Sequence, residues 1–199
     1  MSNDSATGGY LVPSSSQGLP GSLTLTQFIQ TVLVGITGFD GTLVRPKWQV
    51  APPKQPDVGT DWLAFGIQMT DPDQFAYWGM DESASTIFLR QESIEIQCAF
   101  YGPNSQENIS SFRDGFQIQQ NLEALRLANM GYLKCTSAIR GPDLVNERWI
   151  DRYEMSIFLT RQVQRTYPIL SFVSAGGMLH TVVDGDAVPH SQTWLVEEP

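Results

Sequence analysis

The side chains able to do chemistry are few and scattered. His180, His190, Cys98 and Cys135 are all the histidines and cysteines there are. A zinc or iron site needs about three or four ligands at short spacings, and these four stand far apart in sequence. No G-x-S-x-G elbow offers an activated serine, and neither a P-loop nor a G-x-G-x-x-G stretch occurs. Gly8-Gly9 and Gly176-Gly177 read as flexible or turn glycines. Asp71 and Asp73 could form the acid pair of a small carboxylate-dependent hydrolase. Asp71-Pro72-Asp73 also has the composition of a solvated turn, and nothing nearby would desolvate a carboxylate. Asn108-Ile109-Ser110 matches a glycosylation sequon, but no secretory signal gives it meaning. The expectation is a chain without a catalytic centre, metal or cofactor, whose two cysteines are buried free thiols in apolar strands.

Composition points the same way. The chain has 199 residues, 41% hydrophobic and 17% charged, with a net charge of -9. That is enough chain for one domain with a real core. Only 12 Lys and Arg are present, too few to grip phosphate along a duplex without strong segregation. From Asp57 through Asp61, Asp71, Asp73 and Asp81 to Glu82 there are acids and no Lys or Arg. The acidic balance is compatible with a surface that lets nucleic acid pass without sticking. No apolar run of about 18 residues predicts a membrane span, and no basic n-region predicts a signal peptide.

The elements that must carry these residues follow from periodicity. Ser85 to Gly131 reads as a long strand, a tight turn and a helical segment. Ile94, Ile96, Cys98 and Phe100 alternate with polar or small residues, which predicts one buried face. Ile87 and Leu89 are in the opposite phase, which predicts a bulge or a change of face near Arg90 to Glu92. Gly102-Pro103 stops the strand, Asn104 and Glu107 suggest a capping box, and Ile109, Phe112 and Phe116 recur at helical spacing. Gly115 weakens that helix and Gly131 would end it. Upstream, Leu25, Phe28, Ile29, Val32 and Leu33 predict an amphipathic helix from Leu23, capped by Thr24 or Ser22 and ended by Gly35 or Gly38. Short strands are predicted at Leu43-Val44, Trp62–Met69 and Tyr132–Thr136. A long strand is predicted at Trp149–Arg165, ended by Pro168, and a strand or hairpin at Leu170–Val183 with Gly176-Gly177 as its turn. Residues 1–22 lack periodicity and form an N-terminal arm, and residues 184–199 an acidic C-terminal arm. Tyr10 to Leu19 and the Trp194 end would then be ordered by neighbouring subunits. Arg148, Arg152, Arg161 and Arg165 interleave with acids on one strand. They make either a salt-bridged strand surface or, with five tryptophans, a subunit interface.

One ordered series of words carries a resemblance. It runs Val44-Arg45-Pro46-Lys47-Trp48-Gln49 with the Pro52-Pro53 loop, Trp62-Leu63-Ala64-Phe65-Gly66-Ile67, Phe100-Tyr101-Gly102-Pro103 and Phe112-Arg113-Asp114-Gly115-Phe116-Gln117. Leu144-Val145-Asn146-Glu147-Arg148-Trp149 and Tyr167-Pro168-Ile169-Leu170-Ser171 complete it. From about Leu23 to Thr181 the chain resembles the phage neck and tail-terminator proteins. The resemblance implies a ring, usually a hexamer, between the head connector and the tail tube, with the sheath beside it where the tail contracts. It implies a lumen through which genomic DNA passes without specific binding. It also implies no enzyme chemistry and a place at the head-tail junction of the virion, reached from the host cytoplasm.

The reading is therefore an α+β domain over residues 23–183, a mixed, mainly antiparallel sheet packed by two helical segments and flanked by extended arms. The function is structural, with another neck, connector or tube ring protein as the alternative. Candidate interface residues are Tyr10, Leu11, Trp48, Arg148, Arg152, Arg161, Arg165 and Trp194. Candidate channel-lining residues are Asp57, Asp61, Asp71 and Asp73.

Overall fold

A computed structural model describes residues 3–4, 6–17, 19, 24–80, 85–145, 147–170, 174–179 and 192–197. Three short helices and twelve strands follow in order: β1 (Ser15–Ser16), α1 (Leu25–Thr37), β2 (Val44–Pro46), β3 (Trp62–Pro72), β4 (Tyr77–Met80), β5 (Ser85–Tyr101), α2 (Ser105–Gly115), α3 (Glu123–Leu127), β6 (Met130–Cys135), β7 (Ile139–Arg140), β8 (Asp143–Val145), β9 (Arg148–Ile150), β10 (Arg152–Leu170), β11 (Ser174–Leu179) and β12 (Gln192–Glu197). The main sheet has the order β1-β10-β5-β3-β2, with β4 paired to β5 and β6 and β7 paired to β10. β2 and β3 run parallel, while β3–β5, β6–β10 and β7–β10 are antiparallel. The expected α+β class and mixed, mainly antiparallel sheet are thus observed.

Two compact units divide the chain. The larger comprises Ser16–Tyr77 and Phe88–Arg165 and holds the hydrophobic core. Its sheet presents Leu63 and Phe65 of β3, Ile94, Ile96, Cys98 and Phe100 of β5, and Met155, Ile157 and Leu159 of β10 on one face, all buried. Against them pack Phe28, Ile29, Val32 and Leu33 of α1, Ile109 and Phe112 of α2, and Leu125 of α3. Edge-on and stacked ring contacts run from Phe39 through Phe100, Phe112 and Phe116 to Tyr132, with centroids 5.0–6.3 Å apart. This chain of rings fixes the helices to the sheet.

The first helix is capped as expected. Thr24 accepts from the Gln27 N–H, the Gln27 side chain returns to the Thr24 N–H, and Gly38 closes the end at φ 70°. The second helix departs from expectation. Asn104 precedes it, but its side chain caps nothing on the helix and no capping box forms. Asp61 accepts from the Asn104 N–H at 2.9 Å and from its side-chain amide at 2.8 Å, so a residue 43 positions away holds Asn104 in place ahead of the helix. The expected single helical segment to Met130 is broken after Gly115, continues as a 3-10 turn at Gln119–Leu122, and resumes as α3. Asn129, at φ 53°, ends it, and Gly131 already belongs to β6.

Pro103 lies beyond the end of β5 as expected, but Pro72, expected in a turn, and Pro168, expected to interrupt a strand, both fall within strands. Pro72 is the last residue of β3, not a turn. The Asp73 N–H donates to the Gln91 carbonyl at 2.9 Å, so by alternation the Pro72 nitrogen faces away from β5 and no ladder bond is lost. Pro168 shares the phase of Gln164 and Thr166, whose carbonyls accept from Gln17 and Ser14. Its nitrogen therefore also faces away from β5. In the β3–β5 pairing the register shifts between Ile67 and Met69 of β3. Trp149 and Arg165 lie in different strands, since β9 and β10 are separated at Asp151. Cys98 is fully buried, but Cys135 is only half-buried; neither is in a disulfide.

The smaller unit comprises Met1–Ser15, Trp78–Ile87 and Thr166–Pro199. Within it β11 and β12 form an antiparallel pair from Ser174↔Glu197 to Leu179↔Gln192. Gly176 and Gly177 are mid-strand, opposite Leu195 and Trp194, so they are not the turn. Glycine allows extended backbone as readily as a turn, and the partner strand that decides lies far along the chain. Within the arm, Ser14 pairs with Thr166 and Gln17 with Gln164 of the same chain, and Leu19 packs on the core. The Ser22 cap, Asp81, Glu82, His180, His190 and residues 184–191 lie outside the described residues.

Candidate interaction surface

On the sheet face away from the helices, a hollow of about 530 Å³ opens where β2, β3 and β5 meet. Its floor is set by register. Trp62 is the cross-strand partner of Tyr101, and their rings stack at 4.3 Å with planes 9° apart. Ala64, the next residue on that face, keeps the floor low. Pro46, Pro52 and Pro53 form one wall, in a stretch whose prolines favour extended backbone. Arg45 ties that wall down: its Nε donates to the Thr42 carbonyl at 2.6 Å and its Nη1 to the Lys54 carbonyl at 2.7 Å. Its guanidinium also lies 5.9 Å from the Trp62 ring centre. Trp48 lies flat on Gly66, where any Cβ would collide with its ring, although the indole remains 68% exposed.

The opposite wall is an ion-pair network. Arg152 reaches Asp143 at 2.5 Å and Glu154 at 3.5 Å. Glu154 lies 3.8 Å from Lys47, whose ammonium donates to Gln97 at 2.9 Å. Burial pulls the Lys47 pKa below its ordinary value, opposed by the Glu154 charge. Burial likewise pushes the Tyr101 hydroxyl upward, opposed by Arg152. Both carboxylates of the hollow are engaged by one guanidinium, and among the described residues no serine, cysteine or histidine lines it. The arrangement is suited to holding a shape and presenting charge. Among the described residues, no group of three or more His, Cys, Asp or Glu is placed to hold a metal ion.

The structure distributes the expected interface residues widely. Tyr10 is 96% exposed and Leu11 half-buried. Arg152 lies in the wall of the hollow, while Trp48 packs on Gly66 of β3. Arg161 faces the core side and pairs with the buried Glu92 at 2.7 Å. Arg165 borders a smaller hollow with Ser16 and Gln17. Arg148 is exposed on the β8–β9 hairpin, beside the exposed cross-strand pair Leu144 and Trp149. The backbone of Trp194 pairs in β12, and its side chain is outside the described residues. The expected channel acids do not cluster. Asp57 is exposed and Asp61 is bonded to Asn104, both near one end of β3, whereas Asp71 and Asp73 are exposed at its other end. Asp143 and Glu154 stand outside the expected site residues. Their signal is the outward phase of Arg152 and Glu154 on β10, opposite to Met155 and Ile157.

Helices on one sheet face, with a charged, aromatic-floored hollow on the other, define an α+β protein equipped for contact. A family model described as phage neck terminator protein matches residues 23–181, and the chain belongs to that family. It is a structural protein of the phage neck and a component of the virion. Comparison with curated proteins gives no significant match. Among the described residues, no helix is long and apolar enough to cross a membrane.

Proposed function

We propose that the chain is the subunit of a homo-oligomeric ring, a hexamer in the form the family suggests, that caps the tail tube. It joins the tube to the head connector or adaptor and leaves a channel for genomic DNA. The observation that carries this reading is the family match over residues 23–181. Exposed Trp48 and Trp149, at 68% each, supply the large apolar anchors that subunit contacts use. Tyr10 and Arg148 are further candidates for that contact. Exposed acids such as Asp57 suit the channel wall, since a subunit of net charge -9 repels phosphate. The carboxylates of the hollow, shared by Arg152, do not favour a carboxylate-dependent hydrolase. Assembly would take place in the host cytoplasm before the subunit enters the particle.

Native mass spectrometry and electron microscopy of the purified chain test the reading. Closed rings whose contacts each bury more than about 1,000 Å² support it. A chain that stays monomeric at high concentration, and that forms no ring in particles, overturns it.

A further inference from the structure

The two ends of β3 carry surfaces of opposite character, both within the larger unit. At the Trp62 end is the hollow, with its stacked aromatic floor and proline wall. Its charged side chains are Arg45, Lys47 and Arg152 against Asp143 and Glu154, which leaves one net positive charge. Asp143 and Glu154 are both engaged by Arg152. Arg45 has no carboxylate within ion-pair distance among the described residues, and the neighbouring Lys54 is exposed. At the other end of β3 stand Asp71, in the strand, and Asp73, just beyond it, both exposed. Neither has an ion-pair partner among the described residues; Arg90 donates to the backbone carbonyl of Asp73, not to its carboxylate. Two residues further on is Phe75, 90% exposed.

We infer that the Asp71–Phe75 knob of one copy docks in the Trp62–Tyr101 hollow of the next, resting on the ring reading above. The hollow, at about 530 Å³, has room for a phenyl ring and its flanking backbone. Aromatic and proline surfaces accept the ring. The two aspartates meet Arg45 and Lys54, so the pairing is electrostatically complementary and selects against a knob-to-knob or hollow-to-hollow contact. One copy cannot satisfy both surfaces itself. Ten residue steps of β3 hold them about 33 Å apart, at about 3.3 Å per step. The contact is therefore head-to-tail, the kind that generates closed rings.

Three variants test this by native mass spectrometry and sedimentation at low ionic strength, with circular dichroism confirming the fold. Phe75→Ala and Asp71→Lys/Asp73→Lys change only exposed side chains. Each is expected to stay folded and to weaken each contact at least tenfold. Arg45→Glu/Lys54→Glu is expected to weaken it similarly, and mixing this variant one-to-one with Asp71→Lys/Asp73→Lys should restore assembly, because the reversed charges then meet. If Arg45→Glu/Lys54→Glu fails to fold, the first two variants still decide. Wild-type assembly with unchanged assembly of Phe75→Ala and Asp71→Lys/Asp73→Lys overturns the contact and leaves the ring reading standing. Rings that form normally in those two variants but fail to join a neck partner also overturn it, by assigning the knob to that partner. A wild-type chain that never assembles overturns both.

Discussion

Glu92 and Arg161 show how one residue pair can set stability without touching a site. Glu92 is in phase with Ile94 and Ile96, and Arg161 with Leu159 and Val163, so both point to the core side where a charge alone is unfavourable. Their 2.7 Å ion pair offsets that burial. Arg161→Met alone should destabilise by about 2–4 kcal/mol, because Glu92 is left buried and unpaired. Glu92→Met/Arg161→Met together should recover most of the loss in urea unfolding, which is the expected mark of a charge pair rather than of packing. Cys98 supplies a pH dependence. Burial pushes its thiol from 9.0 up to about 12. Below pH 9 the thiol is protonated in both states and contributes no slope. Between about pH 9 and 12 the unfolded chain releases a proton that the folded chain keeps, so stability falls by about 1.4 kcal/mol per pH unit. Lys47 works in the opposite direction, since its lowered pKa makes stability rise towards its ordinary value. Comparing wild type with Cys98→Ala from pH 8 to 11 isolates the thiol, and the variant should lack the downward component.

At the scale of elements, the junction between β5 and α2 depends on a contact that is remote in sequence. Gly102 turns at φ 111°, and a Cβ there would run into Asp61. The same Asp61 receives two hydrogen bonds from Asn104. Gly102→Ala should therefore destabilise by about 1–3 kcal/mol, combining strain with displacement of Asp61 from Asn104. Asp61→Ala should remove about 1 kcal/mol through the lost hydrogen bonds. Thermal unfolding measures both, and equal losses in the single and double variants would show that the turn and the Asp61–Asn104 contact act as one unit. The β8–β9 hairpin is a different kind of element. Ile150 is buried while its cross-strand pair Leu144 and Trp149 faces solvent, so Trp149→Ala should leave stability within about 0.5 kcal/mol.

At the scale of the whole molecule, charge and the N-terminal segment govern behaviour. Net charge of -9 should give weak duplex binding with little dependence on salt. A steep fall of affinity with salt in fluorescence anisotropy would show a segregated basic surface instead. Truncation separates the arm into parts. Removing residues 1–13 should change unfolding free energy by less than about 1 kcal/mol. Removing residues 1–19 also deletes the bonds from Ser14 and Gln17 to β10 and the packing of Leu19. That longer deletion should cost a further 1–3 kcal/mol or about that, from lost hydrogen bonds and apolar burial. Urea midpoints of the two truncations check this.

The sequence by itself determined the local periodicities. Alternation of Ile94, Ile96, Cys98 and Phe100 specified which face of β5 is buried, and the spacing of Phe28, Ile29, Val32 and Leu33 did the same for α1. Thr24 and Gln27 are three residues apart, so their capping box is a local property. The ordered words from Val44 to Ser171 carried the family, which the match over residues 23–181 bears out. What neighbours decide was not legible. Whether Pro72 and Pro168 break a strand depends on which side of the strand has a partner, and the chain pattern does not encode that side. The Asn104 side chain is drawn to Asp61 rather than to α2, and Asp61 is brought near only by the β3–β5 register. The hollow is likewise tertiary. Arg45, Trp62, Tyr101 and Arg152 lie on four different strands, and only the pairing of those strands places a stacked aromatic floor between a proline wall and an ion-pair network.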